Sequence, residues 1–265
     1  MRVRVIIQTS KLPIIYRHRV LAFIKSALGS SNPYYKESLY ENEFYTKKVK
    51  PFTFALLLPK SIQKKKEGFS LCPDDETQIE DYVFYPSENV TISLLISSID
   101  PEFILNLYNG MLKVKCFPFN HEINLLVEKV LLMDEKNITS DRVVFKTYSP
   151  ILIEDKEGKP VLKDGEFPHK IFNKEFNMIH DKILKDLRGY GLKREMVFEP
   201  VQGWKKQVVK HGLWEIRSKI NKPYAVFTCF EGCFLLKGDP EDLNVLYKKG
   251  VGLRTSQGFG MVEVV

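Results

Sequence analysis

Two segments of this chain open with the same three residues, Asp100-Pro101-Glu102 and Asp239-Pro240-Glu241. Each is a complete helix start: an aspartate to cap free amides, then a proline where no donor is needed. The patterning around the two starts repeats as well. In the first half, residues 2–8 alternate as a strand. Val20, Phe23, Ile24, Ala27 and Leu28 then recur at helical spacing over residues 17–28. Strand-like runs follow at 51–58, 82–85 and 90–96, then the Asp100 helix to about residue 112 and a strand over 121–134. In the second half, a strand spans 143–153. An amphipathic helix over 170–187 puts Phe172, Phe176, Ile179, Ile183 and Leu187 on one face. Strands at 196–209 and 224–236, the Asp239 helix ending at Gly250 and a last strand complete the half.

Both halves read strand, helix, strand, strand, helix, strand. That order predicts an α+β chain of two tandem ferredoxin-like (βαββαβ, RRM-like) domains. The polar break at 135–141 sets the boundary, giving domains 1–137 and 138–265. Helices on one face of each sheet leave the other face free, and two such units side by side leave a groove. Residues 30–50 read as a polar, aromatic connection and 60–68 as a basic turn.

A length of 265 residues, 44% of them apolar, is enough for two real cores. No window approaches eighteen apolar residues, so no membrane span is expected. The N-terminus alternates as a strand and is not a signal peptide. Cys72, Cys116, Cys229 and Cys233 are sparse, which predicts reduced thiols in a cytoplasmic protein. Cys229 and Cys233 sit in an apolar run without a second pair at ligand spacing, so they read as packing residues rather than a zinc site.

The charge balance of +7 suits a polyanionic partner, and the C-terminus supplies a place for one. Gly250, Gly252, Gly258 and Gly260 put four of the fifteen glycines within eleven residues, with Arg254, Thr255 and Ser256 between the two pairs. Glycine lets a backbone reach φ > 0 and approach an anion closely. Phosphate loops of nucleotide-binding folds follow a strand and open a helix. Here the glycines follow a helix and open a strand, and no Gly-Lys-Ser/Thr occurs. The pattern therefore predicts a loop along a polynucleotide backbone, with Arg254 pairing a phosphate.

A helix, Gly-x-Gly, a short polar run, Gly-Phe-Gly and a terminal apolar strand resemble the RAMP superfamily. More narrowly, they resemble the CRISPR repeat-processing endoribonucleases. Ser31-Asn32-Pro33 after the first helix, Lys50-Pro51-Phe52-Thr53 before the second strand and Thr147-Tyr148-Ser149-Pro150 opening the second half agree. The resemblance covers essentially the whole chain. It implies cleavage of repeat RNA by the RNA's own 2′-hydroxyl, with 5′-hydroxyl and cyclic-phosphate ends and no metal or cofactor. Such chemistry needs a base, an acid and a cation for the charge on phosphorus.

Many members of that family carry a catalytic histidine soon after the first helix. Aligning Ser31-Asn32-Pro33 puts Tyr40 there instead. With a pKa of about 10, a tyrosine is a poor base at neutral pH, but it can donate a proton or orient the attacking hydroxyl. Lys25 lies on the first helix where members often place a tyrosine, and Lys50 where members place a lysine. His18 is the competing candidate, seven residues before Lys25 on the same stripe. His121, His169, His180 and His211 read as structural or surface residues.

Further RNA contacts are expected from Lys205, Lys206 and Lys210 around Trp204, with Arg217 and Lys219 beyond, since basic residues beside an aromatic suit backbone contact with base stacking. The run Lys64-Lys65-Lys66 reads as a solvated loop. The departure at Tyr40 keeps a second reading open: a non-catalytic RNA-binding subunit of a CRISPR effector complex, with the other subunits as partners. A third is a metabolic enzyme for a phosphorylated small ligand. Monomer and homodimer are both compatible with the sequence.

Overall fold

The computed structural model describes residues 1–40, 48–60, 62–74, 77–87, 90–161, 169–213 and 222–265. In chain order the first half holds β1 (Arg2–Gln8), β2 (Leu12–Pro13), α1 (Arg17–Ser31), α2 (Pro33–Tyr40), β3 (Phe52–Leu57), β4 (Gln63–Ser70), β5 (Gln78–Tyr85) and β6 (Ile92–Ser98). α3 (Pro101–Lys113), β7 (Cys116–Pro118) and β8 (Asn124–Met133) follow. The second half holds β9 (Arg142–Thr147), α4 (His169–Arg188), β10 (Val197–His211), β11 (Ala225–Lys237), α5 (Pro240–Lys249), a 3-10 turn (Thr255–Gln257) and β12 (Val262–Val264).

Two antiparallel sheets share one strand order. The first runs β3-β6-β1-β8-β7 and the second β10-β11-β9-β12. In each, the second, third, first and fourth strands of a βαββαβ unit lie side by side, so the chain is α+β with tandem ferredoxin-like folds. The two aspartates act as their positions predict: Asp100 accepts from the Glu102 amide and Asp239 from the Glu241 amide, both at 2.9 Å.

In the first unit, Val3, Val5 and Ile7 alternate inward from β1 onto α1 and α3. The two helices meet so closely that a Cβ on Gly110 would lie 1.9 Å from the Ala27 carbonyl oxygen. The second core is phenylalanine-rich, with Phe145, Phe172, Phe176, Phe198, Phe230 and Phe234 in one cluster.

Three expectations change. Residues 60–68 hold a strand, not only a turn: β4 pairs with β5, and β2 completes a third sheet in the order β2-β5-β4. Phe69, Ile79 and Val83 fix this sheet by packing on Ile15 and Leu71, which the lysine run conceals at the level of sequence. Residues 33–40 form α2, capped by Asn32, whose side chain accepts from the Tyr35 amide at 3.0 Å. Finally, the face of the first sheet away from its helices is not bare: Ala55 and Leu95 pack against Met261 from the end of the chain.

Arg2 also joins the halves. Its buried guanidinium donates to Glu263 Oε2 at 2.6 Å and to the carbonyls of Tyr247 and Val262 at 2.9 and 2.7 Å, and lies 3.8 Å from the centroid of the Tyr247 ring.

Candidate functional site

α1 presents Lys25 on a half-buried position, and α2 brings the chain back so that Tyr40, its last residue, faces that position. The Lys25 ammonium lies 4.2 Å from the centroid of the Tyr40 ring, and the Lys50 ammonium 4.7 Å from the same centroid. Both distances are within cation–π range. Lys50 Nζ also donates to the Leu39 carbonyl, one residue before Tyr40. The helix that carries Tyr40 is held at its other end: the Tyr35 hydroxyl donates to Asp100 Oδ2 at 2.5 Å. Burial, reinforced by Asp100, raises the Tyr35 pKa above the ordinary phenol range, so this donor stays protonated. Three of the residues singled out in the sequence thus converge at one place.

His18 sits in the first turn of α1 and faces elsewhere. Its Nε2–H donates to the Leu71 carbonyl at 2.7 Å, and its ring meets Phe119 edge-on at 6.3 Å between centroids. A Cβ on Gly212 would lie 3.0 Å from that imidazole. The contact with Leu71 orients the ring by tying α1 to the residue after β4.

The glycine loop is built as tightly as its composition suggests, but its glycines face protein. Gly250, Gly252, Gly258 and Gly260 have φ of 96°, 84°, 87° and 71°, and Arg254, at φ 53°, is left-handed as well. A Cβ on Gly258 would meet Phe54 Cε2 at 2.7 Å, and one on Gly250 would meet Thr53 Cβ at 2.8 Å. The Val251 amide donates to Gly260 O at 2.8 Å, closing the neck of the loop. The Gly260 amide donates to Pro150 O and the Met261 amide to Ser149 Oγ, each at 2.9 Å, while Thr53 Oγ1 donates to Phe259 O at 2.8 Å. The short motifs at 50–53 and 147–150 are the seats that receive the loop. Arg17, buried at the start of α1, donates to Gly258 O at 3.2 Å.

Underneath the loop lie two buried ionisable side chains. His180 Nδ1–H donates to Phe176 O at 2.7 Å, and Nε2 accepts the Gly252 amide at 2.9 Å. Burial, with Lys249 nearby, pushes this imidazole down to about 3, so it is neutral. Lys249 is itself buried and reaches Gly252 O at 3.4 Å. Burial brings its pKa down to about 7. His211 is also buried, stacked on Phe259 with centroids 6.1 Å apart, and pushed down to about 3 by burial and then by His18 and Arg17. The structural reading therefore fits His180 and His211; no side-chain description covers His169, and His121 is exposed.

At the tip of the loop Arg254 is exposed, with its guanidinium 4.8 Å from the centroid of Phe227. Ser256 is half-buried beside it. On β10, Lys205 and Lys206 are exposed, and Lys205 pairs with Glu231 at 3.0 Å. Lys210 is half-buried, 2.5 Å from the buried carboxylate of Asp81. Trp204 turns inward, its ring 4.3 Å from that of Phe230 and 5.2 Å from that of Phe198. Lys205 and Lys206 thus remain on the surface, whereas Trp204 and Lys210 are engaged within the protein. Arg217 and Lys219 lie outside the described residues.

The cysteines at 229 and 233 both lie on β11. Cys229 is buried, which pushes its thiol up to about 12. Among the described residues no group of three or more His, Cys, Asp or Glu side chains is placed to hold a metal ion, and no helix is long and apolar enough to cross a membrane.

Residues 133–264 match the family described as CRISPR associated protein Cas6, C-terminal. Over 273 aligned residues the chain is 30% identical to CRISPR-associated endoribonuclease Cas6 1 of Methanocaldococcus jannaschii, with 99% of this chain and 92% of that protein covered. Among solved structures, a RAMP protein described as binding different RNA substrates superposes with a TM-score of 0.71 at 20% identity, covering 100% of this chain and 99% of that one. The product of a Cas6-related gene from Pyrococcus furiosus gives the same TM-score and identity, with coverage of 100% and 98%. The two superpositions show a shared fold, and the full-length relationship to the Methanocaldococcus protein goes further: this chain belongs to the Cas6 family of CRISPR-associated proteins.

Proposed function

We propose that this protein is an endoribonuclease that cuts CRISPR precursor RNA within its repeats, by attack of the RNA's 2′-hydroxyl on the adjacent phosphorus. The products are a 5′-hydroxyl and a cyclic-phosphate end. Family membership supports a nuclease role in CRISPR RNA processing. The observation that carries the cleavage reading is the convergence of Lys25 and Lys50 on Tyr40. Two ammonium groups beside one phenol supply what a phosphoryl-transfer centre needs: positive charge for a pentavalent phosphorus and hydroxyl chemistry for proton handling. In this assignment Lys25 and Lys50 stabilise charge at phosphorus, Tyr40 orients the 2′-hydroxyl or protonates the departing 5′-oxygen, and the 2′-hydroxyl proton passes to solvent water, which restores any proton the phenol gives up. His18 is the second choice, because its ring already serves Leu71.

The RNA lies across the basic face and the glycine loop. Arg254 and Ser256 at the loop tip, together with Lys205 and Lys206, meet its backbone. The glycines at 250, 252, 258 and 260 contribute by shaping the loop that presents Arg254.

Incubating the protein with repeat RNA in EDTA tests this reading. Cyclic-phosphate products that appear at a rate lowered by Lys25→Ala and Lys50→Ala are expected. Tight binding without product over a long time course overturns cleavage and leaves an RNA-binding effector subunit.

A further inference from the structure

β4 is the outer strand of the small sheet β2-β5-β4, and residues 63–66 along it are all exposed. Side chains alternate across a strand, so Lys64 and Lys66 share one face and Lys65 takes the other. Lys66 lies directly opposite Tyr82 of β5. The Lys64 and Lys66 ammonium groups are 5.2 and 5.5 Å from the centroid of the Tyr82 ring, which belongs to an exposed residue. The opposite face is fastened down: Lys11 bonds Glu67 at 3.0 Å, Glu67 accepts from the Tyr85 hydroxyl, and buried Asp81 pairs with Lys210 of β10.

Lysines alone on an outer strand discourage edge-to-edge pairing and need no ligand. An exposed aromatic ring beside two of them is not explained that way. The arrangement has both parts of a single-stranded nucleic-acid contact, an aromatic surface for a base and, on the neighbouring strand, one cation directly opposite it and one on the diagonal for phosphates. Glu80, exposed on the same face two residues before Tyr82, limits the positive field on that side. The anchored inner face keeps the platform rigid, which lowers the ordering cost of binding.

We propose that the outer face of the β4–β5 hairpin is a separate RNA-binding site, in which Tyr82 stacks an unpaired base and Lys64 and Lys66 hold the flanking phosphates. The proposal rests on RNA being the substrate of this chain but not on the chain's ability to cut it.

Fluorescence anisotropy of a labelled single-stranded repeat RNA, titrated with the full chain at several salt concentrations, provides the test. The double variant Lys64→Ala/Lys66→Ala should reduce the slope of log K against log salt by about 1.4, two contacts at about 0.7 each. Tyr82→Ala should weaken binding about tenfold, and Tyr82→Phe, which keeps the ring, should bind as the parent does. A duplex RNA of the same length should not register Tyr82→Ala. Unchanged affinity and slope in both alanine variants overturn the site, as does an equal loss on duplex. A parent chain that binds RNA without cutting it overturns the cleavage reading alone, while a parent chain with no RNA affinity overturns both. Thermal unfolding midpoints equal to the parent's confirm that the exposed substitutions leave the fold intact.

Discussion

Gly258 stands against Phe54: a Cβ built on the glycine would lie 2.7 Å from Cε2 of the ring, at a φ of 87°. The contact joins the C-terminal loop to β3 of the first half. Gly258→Ala therefore meets two obstacles, a left-handed backbone and a ring with no room to retreat into a packed core. A loss of about 2–4 kcal/mol is expected, read from the urea midpoint at constant slope. Arg254→Ala, at the exposed tip of the same loop, should leave that midpoint unchanged and reduce the salt dependence of RNA binding by about 0.7. If Arg254→Ala costs stability and Gly258→Ala does not, the loop's parts have been assigned the wrong way round.

The site around Tyr40 separates into charge and hydroxyl. Lys25→Ala should slow single-turnover cleavage about 100-fold with little change in RNA affinity, the scale of losing one preorganised group aimed at transition-state charge. Tyr40→Phe keeps the ring that both ammonium groups approach and removes only the hydroxyl. A rate loss in Tyr40→Phe as large as in Tyr40→Leu would place the chemistry on the hydroxyl. A loss confined to Tyr40→Leu would reduce Tyr40 to a platform that positions the lysines. If His18→Ala is slow while both lysine variants keep the parent rate, the role passes to His18.

Much of this arrangement was legible in the sequence, and the exceptions have identifiable physical causes. Asp100-Pro101 and Asp239-Pro240 gave their helix starts because local capping decides them. Asn32-Pro33 carries the same kind of signal, yet no apolar stripe follows it. α2 buries none of its residues fully and is held by Tyr35 on Asp100, a contact 65 residues distant. β4 was hidden for the opposite reason: its exposed lysines look like a loop until Phe69 and its partners pack beneath the far end. The glycine loop was visible as a request for φ > 0. That its glycines turn toward Thr53, Phe54 and Leu152 rather than outward depends on contacts up to about 200 residues away in the chain, beyond any local pattern.

The buried bases set the pH range of the fold. His180 and His211 titrate at about 3 when folded, against 6.5 in an open chain. Between those values the unfolded chain binds protons that the folded chain refuses. Stability therefore rises with pH from about 3 to 6.5 and is lost as pH falls, by up to about 2.7 kcal/mol per pH unit for the pair. Lys249 follows the same rule higher up: at about 7 when folded against 10.5, it makes stability climb from near pH 7 toward 10.5. Lys249→Met should flatten that upper limb and raise the urea midpoint at pH 7, while the acid limb keeps its direction and loses only the smaller share that the Lys249 charge adds to burial at His180. An upper limb that survives Lys249→Met means another group is responsible.

Arg2 carries the last prediction. Its guanidinium is completely covered, and it serves Glu263 together with two backbone carbonyls, of Tyr247 and Val262. Arg2→Met fills part of the volume but strands the carbonyls of Tyr247 and Val262 in a buried place and takes from Glu263 its cationic partner. A cost of about 3–5 kcal/mol is expected, the scale of breaking one side of a buried pair. Arg2→Lys should recover little of it, since a single ammonium cannot match a planar fork that donates in several directions and also sits over the Tyr247 ring. Glu263→Gln should cost less, because Glu263 is partly exposed and its amide replacement still accepts from Arg2. The denaturant midpoints should therefore rank parent, then Glu263→Gln, then Arg2→Lys, then Arg2→Met. A rank in which Arg2→Met equals the parent would mean that the two halves hold together through the Gly258–Phe54 and Ala55–Met261 contacts without this ion pair.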